Sequence, residues 1–271
     1  MEPRRPSCWL CTWSRVRTRN DGGAVTGNHA ASLVTTSWDD GHPLDLRIAD
    51  LLARYGLTGT FYIPRNVGWP TMTAGEICQL GSRFEVGAHT LDHTALNRAA
   101  DGEVLRQLSG SRAWIEDVTG KPCRVFCFPA GKYRRAQLPL VRGAGYLSAR
   151  TIEFLSTDLP RRVEGLALIP TTVQAYPHSP VAYARNALKR WSLVNLFRTG
   201  ALLSRRDWQK LAGKLLERTL RHGGVFHLWG HSWEIEQEHQ WDRLEKLLAT
   251  IAANKDKVTS MTNSELGSYA L

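Results

Sequence analysis

The chain has 271 residues, 42% of them hydrophobic, which is enough to bury a large core in one α/β domain or in two small ones. Its five cysteines are too few and too scattered for a disulfide framework, so small disulfide-rich folds are excluded. The formal net charge is +10, yet no basic stripe with interleaved aromatic residues accompanies it. We therefore expect no nucleic-acid partner and attribute the charge to an acidic substrate or an anionic surface.

The first 31 residues are polar and rich in arginine. They lack the apolar run of about 7–15 residues that marks a secretory signal. No stretch approaches the roughly 20 apolar residues that a membrane-spanning helix needs. We expect residues 1–31 to be disordered or an over-extended start, and residues 32–271 to form the folded domain of a cytoplasmic protein.

Apolar periodicity predicts alternating strands and helices after this segment. A β-rich run begins at Leu33, and a helix starting after Thr73 has a capping box with Glu76. Asp207 is the predicted N-cap of a later helix. Further strands are predicted over 59–64, 84–88, 124–128, 146–149, 167–173, 225–229 and 258–261, and helices over 43–55, 73–82, 101–118, 135–142, 207–221 and 240–253. So many strand–helix units favour parallel strands in one barrel over two domains.

Residues 176–206 interrupt this rhythm as an inserted segment. Within it, residues 181–197 are aromatic, basic and helical in pattern. An apolar helical stripe usually faces a core, so we favour a helix that caps the barrel. A substrate lid and peripheral contact with a membrane surface remain alternatives.

Two adjacent carboxylates, Asp39 and Asp40, end the first strand. Adjacent residues on a strand point to opposite faces, but a turn at Gly41 can aim both into one pocket. Two acids side by side are costly to hold unless a metal separates their roles, one as a ligand and the other as a free base. The doublet therefore predicts a metal-dependent hydrolase site.

A pair of histidines, His89 and His93, follows the strand over 84–88. Histidines four apart lie on one face of a helical turn, with about 5–6 Å between Cβ atoms, which suits two imidazoles on one ion. One carboxylate and two imidazoles leave a coordination position open, as in catalytic zinc sites. We expect Zn²⁺, with another divalent transition metal as the alternative.

Two later motifs lie at predicted strand ends. Pro129 and Gly131 define a turn that can leave the backbone N–H of Ala130 free as an oxyanion donor, although an ordinary strand-ending turn has the same pattern. His231 lies just past the strand over 225–229 and is the candidate general acid. His227 lies within that strand, and we interpret it as a packed histidine.

These residues, in this order, resemble the NodB-homology polysaccharide deacetylases of carbohydrate esterase family 4. The first family motif corresponds to Thr36, Ser37, Trp38, Asp39, Asp40 and Gly41; the second to His89, Thr90 and His93, with Thr94 replacing a proline; and the third to Pro129 and Gly131 only. Cys127 stands where the family has an arginine, and Ala130 where it has a tyrosine. Arg150 is a candidate substitute for the missing arginine. The matches span Thr36 to Glu234.

The resemblance implies a distorted (β/α)7 barrel and hydrolysis of the N-acetyl group of an N-acetylglucosamine-type sugar. It assigns Asp39 as the base and Asp40, His89 and His93 as zinc ligands. Substrate contacts are expected from Trp38, Tyr133, Arg150 and Trp233. The segment from Trp229 to Glu234 is also similar to smaller members that act on natural products, including glycopeptide-antibiotic pseudoaglycone deacetylases.

Other functions remain open at this stage. The substrate could instead be a cell-wall polymer or an oligosaccharide, or a non-sugar amide. The two aspartates could form a glycosidase pair, but this would leave His89 and His93 without a role. The ten tryptophans could serve a non-catalytic sugar-binding module, although an acid, a base and a ligand set argue against it.

Overall fold

The computed structural model describes residues 31–178 and 207–270, in which the chain forms ten strands and eight α-helices. The strands are β1 (Ser32–Asp39), β2 (Thr60–Ile63), β3 (Glu85–Ala88), β4 (Val125–Cys127), β5 (Ser148–Arg150), β6 (Arg161–Val163), β7 (Leu166–Ile169), β8 (Val173–Gln174), β9 (Gly224–Gly230) and β10 (Thr259–Ser260). The α-helices are α1 (Asp45–Arg54), α2 (Ala74–Arg83), α3 (Asp101–Thr119), α4 (Leu138–Gly143), α5 (Trp208–His222), α6 (Ser232–Gln237), α7 (Trp241–Ala252) and α8 (Asn263–Gly267).

All strands belong to one sheet with the order β6-β7-β5-β4-β3-β2-β1-β9-β8, and β10 pairs with β1. Every pairing is parallel except that of β6 with β7. Strand β1 is buried along almost its whole length, as a central parallel strand covered on both faces should be. The predicted α/β barrel class in a single domain is confirmed.

The short connection between β7 and β8 shows how strongly the sheet curls. Strand β7 pairs with β5, whereas β8 pairs with β9 at the opposite edge. Only residues 170–172 separate β7 from β8, so the two sides of the sheet must lie close together. In the described residues the sheet is therefore a curled half-barrel, and the carboxyl ends of its strands surround one mouth.

Several predicted elements have different bounds in the structure. The single strand predicted over 167–173 is wrong, because Pro170, which has no N–H for a ladder, separates β7 from β8. The helix predicted over 135–142 begins as a short 3₁₀ turn over Arg135–Gln137 and continues as α4. Strand β6, which forms an antiparallel hairpin with β7, was not predicted.

Two helix starts follow the predicted capping chemistry. The Thr73 hydroxyl accepts the Glu76 N–H at 3.3 Å, and Glu76 Oε2 accepts the Thr73 N–H at 2.7 Å. The Asp207 carboxylate likewise accepts the Lys210 N–H at 3.2 Å at the start of α5. Both caps satisfy backbone donors that the first turn of a helix cannot pair internally.

Two predicted segments lie largely outside the described residues. These are the N-terminal segment up to residue 30, and residues 179–206 of the insert, which include the amphipathic stretch 181–197. Among the helices of the described ranges, none has the length and apolar character required to cross a membrane.

Candidate active site

The turn after β1 brings Asp39 and Asp40 into the same pocket. Asp40 and Gly41 both have positive φ angles, 79° and 64°, so the chain bends sharply there. A side chain at Gly41 is excluded because its Cβ would lie 2.5 Å from Ile63 Cγ2. Both carboxylates are buried. The bend thus overrides the alternation of a regular strand.

Three side chains converge on a candidate metal position. Asp40 Oδ1 lies 3.3 Å from His93 Nε2 and 3.8 Å from His89 Nε2. This oxygen is buried and accepts no hydrogen bond from any residue in the described ranges. A carboxylate oxygen and two imidazole nitrogens facing one point are a donor set that suits zinc and similar divalent ions. The residues therefore fit a metal.

The protonation state of His89 also suits a ligand. Its Nδ1 lies 3.0 Å from the Cys127 carbonyl, which can only accept, so Nδ1 carries the proton and Nε2 presents its lone pair towards Asp40. Burial lowers the pKa of His89 to about 4 and outweighs the nearby Asp39 carboxylate. His89 is thus a neutral imidazole at neutral pH.

The histidine pair lies on a bent loop, so the predicted helical turn is wrong. Thr90 and His93 have positive φ angles of 61° and 50°, and the two imidazole centroids are 4.8 Å apart. Gln107 on α3 holds the loop from behind, because its side-chain oxygen accepts the N–H groups of Leu91 and Asp92 at 2.8 and 3.0 Å. The bent loop therefore brings the two imidazoles together, although it has no helical periodicity.

A second cluster, formed by Asp39, His89 and Cys127, is a poorer metal site. Arg150 forms an ion pair with Asp39 Oδ2, and a cation placed there would face its guanidinium group. Burial raises the pKa of the Cys127 thiol well above its usual value, so it stays protonated. The Asp40 cluster therefore has the better donor set.

Asp39 is an ionised carboxylate with one oxygen engaged. Burial by itself raises its pKa, but the Arg150 guanidinium and the imidazoles of His89 and His231 outweigh burial and hold the pKa below its usual range. Arg150 occupies Oδ2, and Cys127 Sγ is 3.8 Å from the same oxygen. Oδ1 has no hydrogen-bond partner within the described ranges, so it can accept a proton.

Arg150 is fully buried at the end of β5, so its predicted contact with substrate is wrong. Its guanidinium carbon lies 4.6 Å from the Trp229 ring centroid and 5.7 Å from that of Tyr62. From β5 it reaches Asp39, while Cys127 occupies the end of β4. This position fits the predicted substitution for the missing arginine.

His231 is a cationic group at the edge of the pocket. Its Nε2 lies 3.8 Å from Asp40 Oδ2 and 4.0 Å from Asp39 Oδ2, and its Nδ1 lies 2.6 Å from Glu234 Oε2. Burial by itself lowers its pKa, but the Glu234, Asp39 and Asp40 carboxylates raise it to about 9. The sequence analysis assigned no role to Glu234. Its position three residues after His231, across the first turn of α6, is the pattern from which this contact could have been predicted.

His227 is a packed histidine, as interpreted from the sequence. It is fully buried, with Nδ1 2.8 Å from the Pro170 carbonyl and Nε2 2.8 Å from the Ser37 hydroxyl. Burial lowers its pKa to about 3, so it stays neutral. Both ring nitrogens are satisfied away from the Asp40 cluster.

The turn after β4 leaves Ala130 exposed, with a positive φ of 52°. The N–H groups of Gly131 and Lys132 bond to the carbonyls of Phe128 and Pro129 at 2.8 and 3.1 Å. The oxyanion role of the Ala130 N–H stays a prediction.

The three aromatic residues predicted to contact substrate lie in different environments. Trp38 is fully buried in the core, because it points to the face of β1 opposite Asp39, and its predicted contact is wrong. Tyr133 stacks on Phe128 with centroids 4.1 Å apart and lines a cavity of about 270 Å³. Trp233 is 36% exposed and donates its indole N–H to Asp40 Oδ2 at 3.0 Å.

Sequence reasoning missed Trp69, which lies between β2 and α2. It is 37% exposed and donates its indole N–H to the Asp40 carbonyl at 3.3 Å. Its ring meets the edge of His93, with centroids 5.2 Å apart. No motif surrounds Trp69, so the sequence offers no local signal for its position.

Comparisons with known proteins agree with this fold. Residues 26–149 match the family model described as polysaccharide deacetylase. A structure from Mycobacterium smegmatis assigned to the polysaccharide deacetylases has a TM-score of 0.61 at 14% identity, covering 92% of this chain and 93% of that chain. A family 4 acetyl xylan esterase from Clostridium thermocellum, in complex with a cobalt ion, has a TM-score of 0.52 at 15% identity, covering 87% and 90%.

A CE4 family pseudoenzyme from Bacillus anthracis has a TM-score of 0.50 at 17% identity, covering 88% of this chain and 66% of that chain. The same fold thus occurs with and without activity, and the site residues must carry the functional argument. The search of curated proteins finds no match. Residues 26–149 are thus similar to the polysaccharide deacetylases, and the structural neighbours, at 14–17% identity, show that the chain shares their fold.

Proposed function

We propose that the protein is a metal-dependent hydrolase that removes the N-acetyl group from an N-acetylglucosamine-type sugar. The observation that carries this proposal is the convergence on Asp40. Its unpartnered Oδ1 faces His89 and His93, while His231 approaches the Oδ2 atoms of both aspartates within 4.0 Å. We propose Zn²⁺ as the ion, or another divalent transition metal.

Asp40, His89 and His93 would hold the metal, and Asp39 would act as the base. A bound zinc ion supplies Lewis acidity and lowers the pKa of a water ligand towards about 7. Asp39 is ionised, and Arg150 fixes its Oδ2, so Oδ1 accepts the proton of the attacking water. The Ala130 N–H is the proposed donor to the oxyanion of the tetrahedral intermediate.

His231 would act as the general acid. An amine is a poor leaving group and must be protonated as the carbon–nitrogen bond breaks. With a pKa of about 9, His231 is protonated at neutral pH, and Glu234 orients its ring through Nδ1. Its Nε2 is therefore free to donate a proton to the departing amine.

The finer proposal is that the sugar is carried by a natural product, such as a glycopeptide-antibiotic pseudoaglycone. Its support is the similarity of the segment from Trp229 to Glu234 and the exposed indoles of Trp69 and Trp233 beside the site. A cell-wall or oligosaccharide substrate is the second candidate, and the family description as polysaccharide deacetylase favours it.

The test is acetate release by zinc-loaded protein from N-acetylglucosaminyl polymers, soluble precursors and pseudoaglycone conjugates. We expect acetate from at least one class, and roughly 10²–10⁴-fold slower release from an Asp39→Asn control. Release from pseudoaglycones alone would support the finer proposal, and release from polymers alone would support the second candidate. Binding without acetate release in excess zinc would overturn the enzymatic proposal, and turnover of non-sugar amides alone would overturn the sugar assignment.

A further inference from the structure

Trp233 contacts the candidate metal ligand on its far side. Its indole N–H donates to Asp40 Oδ2 at 3.0 Å, whereas Oδ1 of the same carboxylate faces the two imidazole nitrogens. A carboxylate can bind a cation through one oxygen or through both. A donor bound to Oδ2 favours the first arrangement and fixes the plane of the carboxylate.

The indole is held in place by the elements around it. Trp233 is the second residue of α6, and its neighbour Ser232 donates its hydroxyl to Asp45 Oδ1 at 2.5 Å. Ser232 and Asp45 are both fully buried. This contact ties the start of α6 to the start of α1, five residues after Asp40. The indole donor and the carboxylate acceptor therefore sit on two joined turns.

We propose that Trp233 is a positioning residue that holds Asp40 as a one-oxygen ligand and thereby sets the affinity of the site for a divalent metal. This inference rests on the metal site of the proposed function and adds a role for the indole N–H that is separate from any contact with sugar. Loss of a hydrogen-bonded partner of a metal ligand typically weakens metal affinity by roughly 10–100-fold.

Trp69 provides the matched comparison. It is exposed to nearly the same extent, and its indole N–H also reaches Asp40, but at the backbone carbonyl, 3.3 Å away. Removing this N–H leaves the carboxylate and its Oδ2 partner unchanged. Trp233→Phe and Trp69→Phe thus each keep an aromatic ring and lose one indole N–H. Only Trp233→Phe loses a hydrogen bond to the Asp40 carboxylate.

The experiment is calorimetric titration of the metal-free full chain with Zn²⁺, repeated with Co²⁺ to record the visible absorption spectrum. We expect Trp233→Phe to bind Zn²⁺ roughly 10–100-fold more weakly and to show an altered cobalt spectrum. Trp69→Phe keeps a ring against His93 and should lose clearly less affinity than Trp233→Phe. Thermal unfolding of the metal-free variants checks that each is folded.

Equal affinities for wild type and Trp233→Phe would overturn the positioning role while leaving the proposed function intact. Equal losses in the two variants would also overturn it, because the effect would then not arise at the carboxylate. Absence of Zn²⁺ and Co²⁺ binding by the wild type would instead overturn the metal-dependent function itself.

Discussion

Asp39 and Asp40 are adjacent in the chain but have opposite surroundings. Asp39 Oδ2 is ion-paired with Arg150, whereas Asp40 Oδ1 faces two imidazole nitrogens. We therefore predict that Asp39→Asn retains metal binding and loses turnover by roughly 10²–10⁴-fold, the usual contribution of a general base. Asp40→Ala should abolish metal binding. Acetate release and zinc titration measure the two effects, and full activity in Asp39→Asn would place the base elsewhere.

The pKa of His231 gives a prediction for the pH dependence of turnover. Because this pKa is raised from about 6.5 to about 9, the acid form is present below pH 9 and is lost as the pH rises through 9. The alkaline limb of kcat/KM should therefore lie near pH 9. Glu234→Gln removes the anion beside Nδ1 and should move that limb to lower pH.

The matched control for this pH prediction is Glu238→Gln, which neutralises a carboxylate just after the same helix. It should leave the alkaline limb in place. An unchanged limb in Glu234→Gln would show that the titration belongs to another group.

The candidate site was predictable where its residues lie close together in the chain. Asp39 and Asp40 are adjacent, and His89 and His93 are four apart, so both pairs were visible in the sequence. Trp38 was misjudged because strand alternation sends it into the core once Asp39 faces the pocket. Trp69 lies on a loop between β2 and α2 and contacts Asp40. A contact between residues so far apart in the chain produces no periodic pattern in the sequence.

The turns after β1 and β9 are joined by one buried hydrogen bond between the helices that follow them. Ser232 at the start of α6 donates to Asp45 at the start of α1. Burial raises the pKa of Asp45 well above its usual value, which favours the neutral acid. The pair links the carboxylate turn to the turn that carries His231.

We predict that Ser232→Ala lowers the free energy of unfolding by about 1–3 kcal/mol, because it leaves a buried acceptor unpaired. Asp45→Asn should cost less, since a neutral amide oxygen can accept the same bond. Denaturant unfolding measures both variants. A larger loss for Asp45→Asn than for Ser232→Ala would show that Asp45 works as an anion.

The two helices whose caps were recognised in the sequence were predicted closely, and the strands defined by distant pairing were not. Thr73 and Asp207 marked the starts of two helices because their side chains bond the first turn. Strand β6 exists only through its antiparallel pairing with β7, and β8 only through its pairing with β9. Three-residue and two-residue strands are too short to carry a periodic pattern.

At the scale of the whole molecule, the curled sheet brings strand ends together that are distant in its strand order. Strand β1 is separated from β5 by three strands, yet Asp39 and Arg150 at their ends form an ion pair. A flat sheet would place these ends about four strand spacings apart, close to 20 Å. The pair therefore forms across the mouth of the half-barrel, where it joins opposite sides of the fold.

Because the buried pair joins opposite sides of the half-barrel, its loss should destabilise the whole fold. Arg150→Met would leave the Asp39 carboxylate buried without a cation and should lower the free energy of unfolding by about 3–5 kcal/mol. Arg161→Met is the matched control, because Arg161 pairs with Glu153 at 3.0 Å but is 56% exposed, and exposed pairs contribute about 0–1 kcal/mol. Adding Asp39→Asn to Arg150→Met should recover part of the loss, since no unpaired charge remains. Denaturant unfolding at neutral pH measures all three variants, and equal losses for Arg150→Met and Arg161→Met would show that the pair across the mouth does not stabilise the barrel.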